Sequence, residues 1–168
     1  MTRRIFAVFR AAIIAPLFLS IWTWFLPRWF AGERAFENPR PAGWIVVVVG
    51  AAILIACVWE FAWRGLGTPA PFDPPRELVV TGLYRYVRNP MYVGLVVTVV
   101  GEAIVFPNLT RALLIEAAAF WVIASLFVMT FEEPVLKSMF AGAYDEYRKR
   151  VRRWIPRVRP WYPPPHLE

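Results

Sequence analysis

Four apolar segments, each close to the length that a helix needs to cross a bilayer, constrain this chain more than any other feature. They run from about Ile5 to Pro27, from Ala42 to Trp63, from Met91 to Phe106 and from Ala112 to Phe131. A transmembrane helix needs about 20 mostly apolar residues. Valine-rich runs are also typical of strands, but unpaired backbone groups in lipid favour helices. We therefore predict an all-α integral membrane protein with about four transmembrane helices.

The basic residues divide unevenly between the two sides of these segments. With the N-terminus in the cytoplasm, that side holds fifteen Lys and Arg residues and the other side holds four. The positive-inside rule therefore predicts a multi-pass protein with both termini cytoplasmic, and the bacterial inner membrane is the expected location. Because topology explains the net charge of +7, nucleic acid is not expected as a partner.

The chain contains one cysteine, Cys57, and one histidine, His166. An intramolecular disulfide is therefore excluded, and no spacing of Cys and His residues suits a metal ion. Zinc, haem and Ser-His-Asp chemistry have no support in the sequence. The final Leu167-Glu168 pair is typical of an expression-vector remnant and is given no functional meaning.

Polar residues concentrate in two predicted cytoplasmic regions. The loop before the third segment reads GLGTPAPFDPPRELVVTGLYRYVRNP, and the region after the fourth reads FEEPVLKSMFAGAYDEYRKRVRRWIPRVRP. In the second region, apolar residues recur every three to five positions from Pro134 to about Trp154, which predicts an amphipathic helix. Such a helix lies on the anionic membrane surface, folds over the loop, or does both with different faces.

The third and fourth segments are joined by only PNLTR, which predicts a tight antiparallel hairpin. The hairpin brings Asn89-Pro90 to the same membrane depth as Glu132-Glu133 on the neighbouring helix. Adjacent carboxylates beside apolar surface are costly unless a positive group pairs with them. The expected partner is an arginine such as Arg85 or Arg88, or a cationic ligand.

Small and acidic residues lie inside the hairpin helices. Gly94 and Gly101 share one face of the third segment, and Ala117, Ala118, Ala119 and Ser125 give the fourth a small face. Such residues let membrane helices approach closely. Glu102 and Glu116 are intramembrane carboxylates, which are functional hypotheses by default.

The stretch TGLYRYVRNPMYVG, the hairpin and the tail EEPVLKSMFAGAYDEYRKRVRRWIPR together resemble the isoprenylcysteine carboxyl methyltransferase family, to which the phospholipid N-methyltransferases are related. The resemblance covers residues 76–160. It implies a membrane enzyme that uses S-adenosylmethionine to methylate a carboxylate or amine of a lipid-like or amphiphilic small molecule. We expect a two-helix anchor at 1–63, a methyltransferase core at 64–160 and a proline-rich tail at 161–168.

The resemblance also implies which residues hold the cofactor. The expected members are Arg76, Glu77, Leu78, Val79, Tyr84, Asn89, Pro90, Met91, Tyr92, Glu132 and Glu133. No catalytic residue is assigned, and the candidates are Glu102, Arg88 and Arg148. Tyr144, Tyr147 and Arg148 match the tail motif of the family.

The chain departs from the family pattern in three places. Asn89 stands where the family has histidine, and an amide cannot act as a general base. Ala141 occupies the position of a family glycine. The arginine that eukaryotic carboxyl methyltransferases carry just before the paired glutamates is missing from LFVMTF, so recognition of a prenylcysteine carboxylate is not implied.

Two other functions stay open at this level. An NADPH-dependent membrane reductase of the sterol reductase type has a distantly similar hairpin, although Pro90 and Met91 here separate Asn89 from Tyr92. A non-enzymatic membrane module would use the same basic flanks for topology and lipid binding. The sequence predicts no particular oligomeric state.

Overall fold

The structure is a computed structural model that describes residues 36–61 and 77–164, with the single residues 21, 25, 26 and 29. Most of the first apolar segment, and the first part of the loop before the third segment up to and including Arg76, lie outside the described residues. The described ranges contain no strand, which confirms the all-α prediction. Their α-helices are α1 (Gly43–Glu60), α2 (Pro90–Val105), α3 (Thr110–Phe127) and α4 (Glu133–Arg150).

Two helical stretches within 36–61 and 77–164 are long and apolar enough to cross a membrane. They are Gly43–Glu60 and the long helical stretch Pro107–Arg150, whereas the apolar helix Pro90–Val105 is shorter. Large apolar side chains such as Ile45, Ile55, Ile115 and Ile123 are exposed on α1 and α3. Exposed aliphatic side chains on long apolar helices suit a lipid environment, while the count of four transmembrane helices stays a prediction.

Helices α1 and α2 pack antiparallel through glycines on both sides. A Cβ atom added to Gly43 would lie 2.6 Å from the Val105 backbone nitrogen, and one on Gly101 would lie 2.6 Å from that of Val47. Only glycine allows backbones to approach this closely. The glycine face predicted on α2 is therefore real, and its partner is α1.

Helices α2 and α3 form the tight hairpin that the sequence predicts. A 3₁₀ turn, Pro107–Leu109, joins them, and the Thr110 hydroxyl donates to the Ala103 carbonyl at 2.7 Å. Leu95, Val99, Leu113 and Phe120 belong to one buried core between these helices and α1. The start of α2 and the end of α3 therefore lie at the same end of the bundle, which is also the end where α1 finishes; we call it the site end.

Helix α3 runs into α4 without a break through a π-helical turn, Val128–Glu132. Pro134 lies in the first turn of α4, as predicted, because the missing N–H is not needed there. Inside α4, Ala141 has φ 41° and ψ −118°, which kinks the helix. The kink explains why Met139 is 45% exposed while Tyr144 and Tyr147 are buried, although the sequence predicted one common face.

The amphipathic helix was predicted to continue to about Trp154, but α4 ends at Arg150 and Val151 is extended. Residues 151–163, which we call the strap, return along the loop before α2. The backbone N–H groups of Arg157 and Trp161 donate to the carbonyls of Tyr86 and Arg85 at 2.9 and 3.0 Å. The Arg88 N–H donates in turn to the Arg152 carbonyl at 3.0 Å. The strap therefore pairs with residues 85–88 through its backbone.

Candidate functional site

The loop before α2 separates two small cores at the site end. Leu78 and Val80 pack with Tyr144, Tyr147 and Val151 from α4 and the strap. Val79, between them, packs with Cys57 and Tyr84. Alternate residues of an extended segment point to opposite sides, so this short stretch joins α1 on one side to α4 on the other.

Tyr92 and Glu132 meet where α2 begins and the π-helical turn ends. The Tyr92 hydroxyl donates a hydrogen bond to Glu132 Oε1. The Tyr92 ring also lies 6.3 Å from the Trp154 ring and 6.1 Å from the Phe120 ring, measured between centroids. The predicted meeting of the two helix ends is therefore confirmed, and it produces a carboxylate bordered by aromatic rings.

Glu133 forms the centre of an ionic cluster. Its two oxygens accept hydrogen bonds from Arg153 Nε at 2.7 Å and Arg153 Nη2 at 2.9 Å. Arg88 Nη1 lies 3.2 Å from Glu133 Oε1 and donates to the Tyr144 hydroxyl at 3.1 Å. The hydrogen bond with Glu133 raises the pKa of the Arg153 guanidinium, which keeps it charged. Of the two arginines expected to pair with the glutamates, Arg88 does so.

Asn89 and Tyr84 hold the surrounding elements together. Asn89 Nδ2 donates to the Arg153 carbonyl at 3.3 Å, and the side chain makes no cap for α2. Tyr84 is buried, and this burial raises the pKa of its hydroxyl well above the ordinary value. Its backbone carbonyl accepts a hydrogen bond from the Tyr147 hydroxyl at 2.7 Å. Both residues therefore link the loop to α4 and the strap.

Glu102 and Arg148 lie apart from this centre. Glu102 comes ten residues after Tyr92 on α2, which places it about 15 Å further along the helix. Arg148 pairs with Asp145 at 2.9 Å on α4, and Glu77 is exposed. Pro90 is buried at the start of α2, and Met91 packs beside Cys57 and Tyr84. Arg76 lies outside the described residues.

The sequence predictions missed two residues of the strap. Arg153 holds Glu133, and the Trp154 ring packs against that of Trp121 with centroids 4.5 Å apart. The sequence predicted both residues at the end of a helix that continues to about Trp154, and in that position neither would contact the start of α2. The one available signal was the proline at position 156, which limits how far a helix can continue.

Comparison with known proteins places the sequence in a family. Residues 39–143 match the family described as phospholipid methyltransferase, a range that includes α1, α2, α3 and the first part of α4. The chain belongs to this family. The resemblance drawn from the sequence motifs is therefore confirmed, and Tyr92, Glu132 and Glu133 all lie in the matched range.

Two curated relatives each match about half of the chain. The chain is 37% identical over 81 residues to a Protein-S-isoprenylcysteine O-methyltransferase of Schizosaccharomyces pombe, which covers 48% of this chain and 34% of that protein. It is 34% identical over 85 residues to Protein-S-isoprenylcysteine O-methyltransferase B of Arabidopsis thaliana, with 49% and 41% covered. The matches thus span well under half of either relative's length. No solved structure gives a significant match.

Proposed function

We propose that the chain is a membrane-embedded methyltransferase that uses S-adenosylmethionine to methylate a carboxylate or amine of an apolar, lipid-like small molecule. The observation that carries this proposal is the convergence of the Tyr92–Glu132 pair and the Arg88–Glu133–Arg153 cluster at the site end. The family and the names of the two relatives support methyl transfer.

The residues at the site end suit the chemical groups of this cofactor. A sulfonium or ammonium is attracted to aromatic faces, which Tyr92 and Trp154 offer, and to a carboxylate, which Glu132 offers. The cofactor's own carboxylate needs a cationic donor. Arg88 Nε is buried and has no hydrogen-bond partner within the described ranges, so it fits that need.

The remaining predicted members complete the proposed site. Arg76, Glu77, Leu78 and Val79 belong to the loop whose backbone we propose for the adenine, and Glu133 orients Arg88. Tyr84, Asn89, Pro90 and Met91 hold the loop and the start of α2 in place. Together they would fix the cofactor beside the lipid, where an apolar acceptor arrives.

When bound, S-adenosylmethionine would supply an electrophilic methyl carbon with its sulfur as the leaving group. The task of the protein is alignment, which contributes roughly 7–11 kcal/mol in well-oriented reactions. An ionised carboxylate acceptor has no proton to lose, and a neutral amine needs little help from a base. The amide of Asn89 cannot provide a base, so we propose that the site works without a histidine.

We also propose four membrane crossings with both termini in the cytoplasm of a bacterial cell. The distribution of Lys and Arg residues supports this topology, and the two long apolar stretches supply part of it. Under this proposal residues 1–63 form the anchor, 64–160 the methyltransferase core and 161–168 the tail. Reporter fusions to each terminus should both report the cytoplasm, and a periplasmic signal at either terminus would contradict the topology.

Transfer of a radiolabelled methyl group tests the function. The purified chain is mixed with methyl-labelled S-adenosylmethionine and a total extract of lipids and small amphiphiles, and label should appear in a lipid-like product. S-adenosylhomocysteine should raise the melting temperature. Tyr92→Phe should reduce both effects because it releases Glu132. Arg111→Gln, at the far end of α3, is the control and should leave both unchanged.

The two alternative functions give different results in the same experiment. Stabilisation by NADPH without stabilisation by S-adenosylhomocysteine would identify a reductase. A chain that responds to neither ligand and transfers no label would be a non-enzymatic module.

A further inference from the structure

The end of α4 and the strap expose cationic and apolar side chains side by side. From residue 148 to residue 164 the sequence has seven Lys and Arg residues and no Asp or Glu. Among the apolar side chains of the strap, Ile155 is 61% exposed and Val158 is 97% exposed. We call the exposed set the basic strip: Lys149, Arg150, Arg152, Ile155, Val158 and Arg159.

Contacts on the inner side of the strap fix the depth of this strip. Trp154 packs against Trp121, which lies six residues before the end of α3, or about 9 Å along the helix. Ile155 follows Trp154 directly, so it lies beside the last two turns of the apolar helix α3. The strip is therefore at the boundary of the apolar bundle.

The strap cannot fold its exposed side chains inward to hide them. The backbone N–H groups of Arg157 and Trp161 are bonded to the carbonyls of Tyr86 and Arg85, and Trp161 packs against Tyr147. Arg153 is held by Glu133. With the inner side occupied in this way, Ile155 and Val158 stay on the outer side.

The outer side matches one partner by its charge and polarity. Exposed aliphatic side chains favour an apolar phase, and clustered Lys and Arg favour anionic headgroups at a membrane surface. Only the headgroup layer of an anionic membrane offers both within a few ångströms. We propose that the basic strip binds anionic phospholipids of the leaflet at the site end. This inference rests on the proposed membrane location and not on methyl transfer.

Binding of phosphatidylglycerol to the full chain in detergent tests the proposal, with phosphatidylcholine for comparison. Bound lipids are counted by native mass spectrometry, and affinity is obtained by titration. The wild type should prefer phosphatidylglycerol. The double variant Arg150→Gln/Arg152→Gln should bind it about 25-fold more weakly, because two surface cations each contribute about fivefold. Both side chains are exposed, so the fold should be retained.

A matched double variant removes the same charge elsewhere. Arg40 and Arg111 are exposed at the opposite end of the bundle, beside the end of α2 and the start of α3. Arg40→Gln/Arg111→Gln should bind phosphatidylglycerol as the wild type does. Equal losses in both double variants, equal affinity for the two lipids, or full competition by inorganic phosphate would each overturn the proposal. Loss of lipid preference with methyl transfer retained would still support it.

Discussion

The Glu133 cluster allows a quantitative prediction, because one side chain connects α4 to the strap through Arg153 and to the loop before α2 through Arg88. Glu133→Gln keeps the size of the side chain and removes its charge. The Glu133 side chain is 14% exposed, and those of Arg88 and Arg153 are 10% and 30% exposed. Removing one member of a buried ion pair costs about 3–5 kcal/mol. Since Arg153 is partly solvated, we expect a loss of about 3 kcal/mol in the free energy of unfolding.

Hydrogen exchange measures where this loss falls. The amides of Arg88, Arg157 and Trp161 close the strap onto the loop, and they should lose protection first. A local loss of about 3 kcal/mol corresponds to exchange about 100-fold faster. The amides of α1 and α2, which are held by the glycine interface, should keep their protection.

The neighbouring pair Arg148–Asp145 is the control for Glu133→Gln. Its side chains are 44% and 34% exposed and lie one turn apart on α4. Such a surface pair contributes about 0–1 kcal/mol, so Arg148→Gln should be close to neutral in stability. Strap amides that stay protected in Glu133→Gln, or an Arg148→Gln variant that is equally destabilised, would contradict this role of Glu133.

Two further predictions concern the backbone. Ala141→Gly should raise the free energy of unfolding by about 1 kcal/mol, because glycine adopts a positive φ at little cost whereas alanine at φ 41° is strained. An unchanged melting temperature would show that the backbone at Ala141 is not strained. Gly101→Ala should cost about 1–3 kcal/mol because its Cβ would lie 2.6 Å from the Val47 nitrogen. Gly142→Ala is the control, since its Cβ would meet nothing within 4 Å. Equal unfolding curves for Gly101→Ala and Gly142→Ala would exclude a tight contact between α1 and α2.

The sequence predicts the helices and the meeting of their ends because both depend on local properties. Apolar length marks α1, α2 and α3, and the short PNLTR connection allows only an antiparallel hairpin. From that hairpin it follows that Tyr92 and Glu132 share a depth, and the structure joins them by a hydrogen bond. For the paired glutamates, charge alone predicts an arginine such as Arg85 or Arg88, or a cationic ligand, as the partner, and Arg88 contacts Glu133.

The strap and the kink were not predicted, because both depend on backbone hydrogen bonds or backbone angles and not on a side-chain pattern. Residues 151–163 are held largely by backbone hydrogen bonds, which any sequence can make and which leave no periodic pattern. The kink occurs at Ala141, although such a conformation normally requires glycine. The sequence also did not predict that α1 packs on the glycine face of α2, because glycines indicate a close neighbour without indicating which helix it is.

The π-helical turn between α3 and α4 holds one residue more per turn than an α-helix. In an α-helix each residue rotates the chain by about 100°, so the extra residue offsets the angular phase of everything that follows it. The turn therefore sets the direction of the exposed apolar stripe of α3 relative to the Glu133 side of α4. A deletion of one residue between 128 and 132 would leave both helices intact and still turn Glu133 away from Arg88.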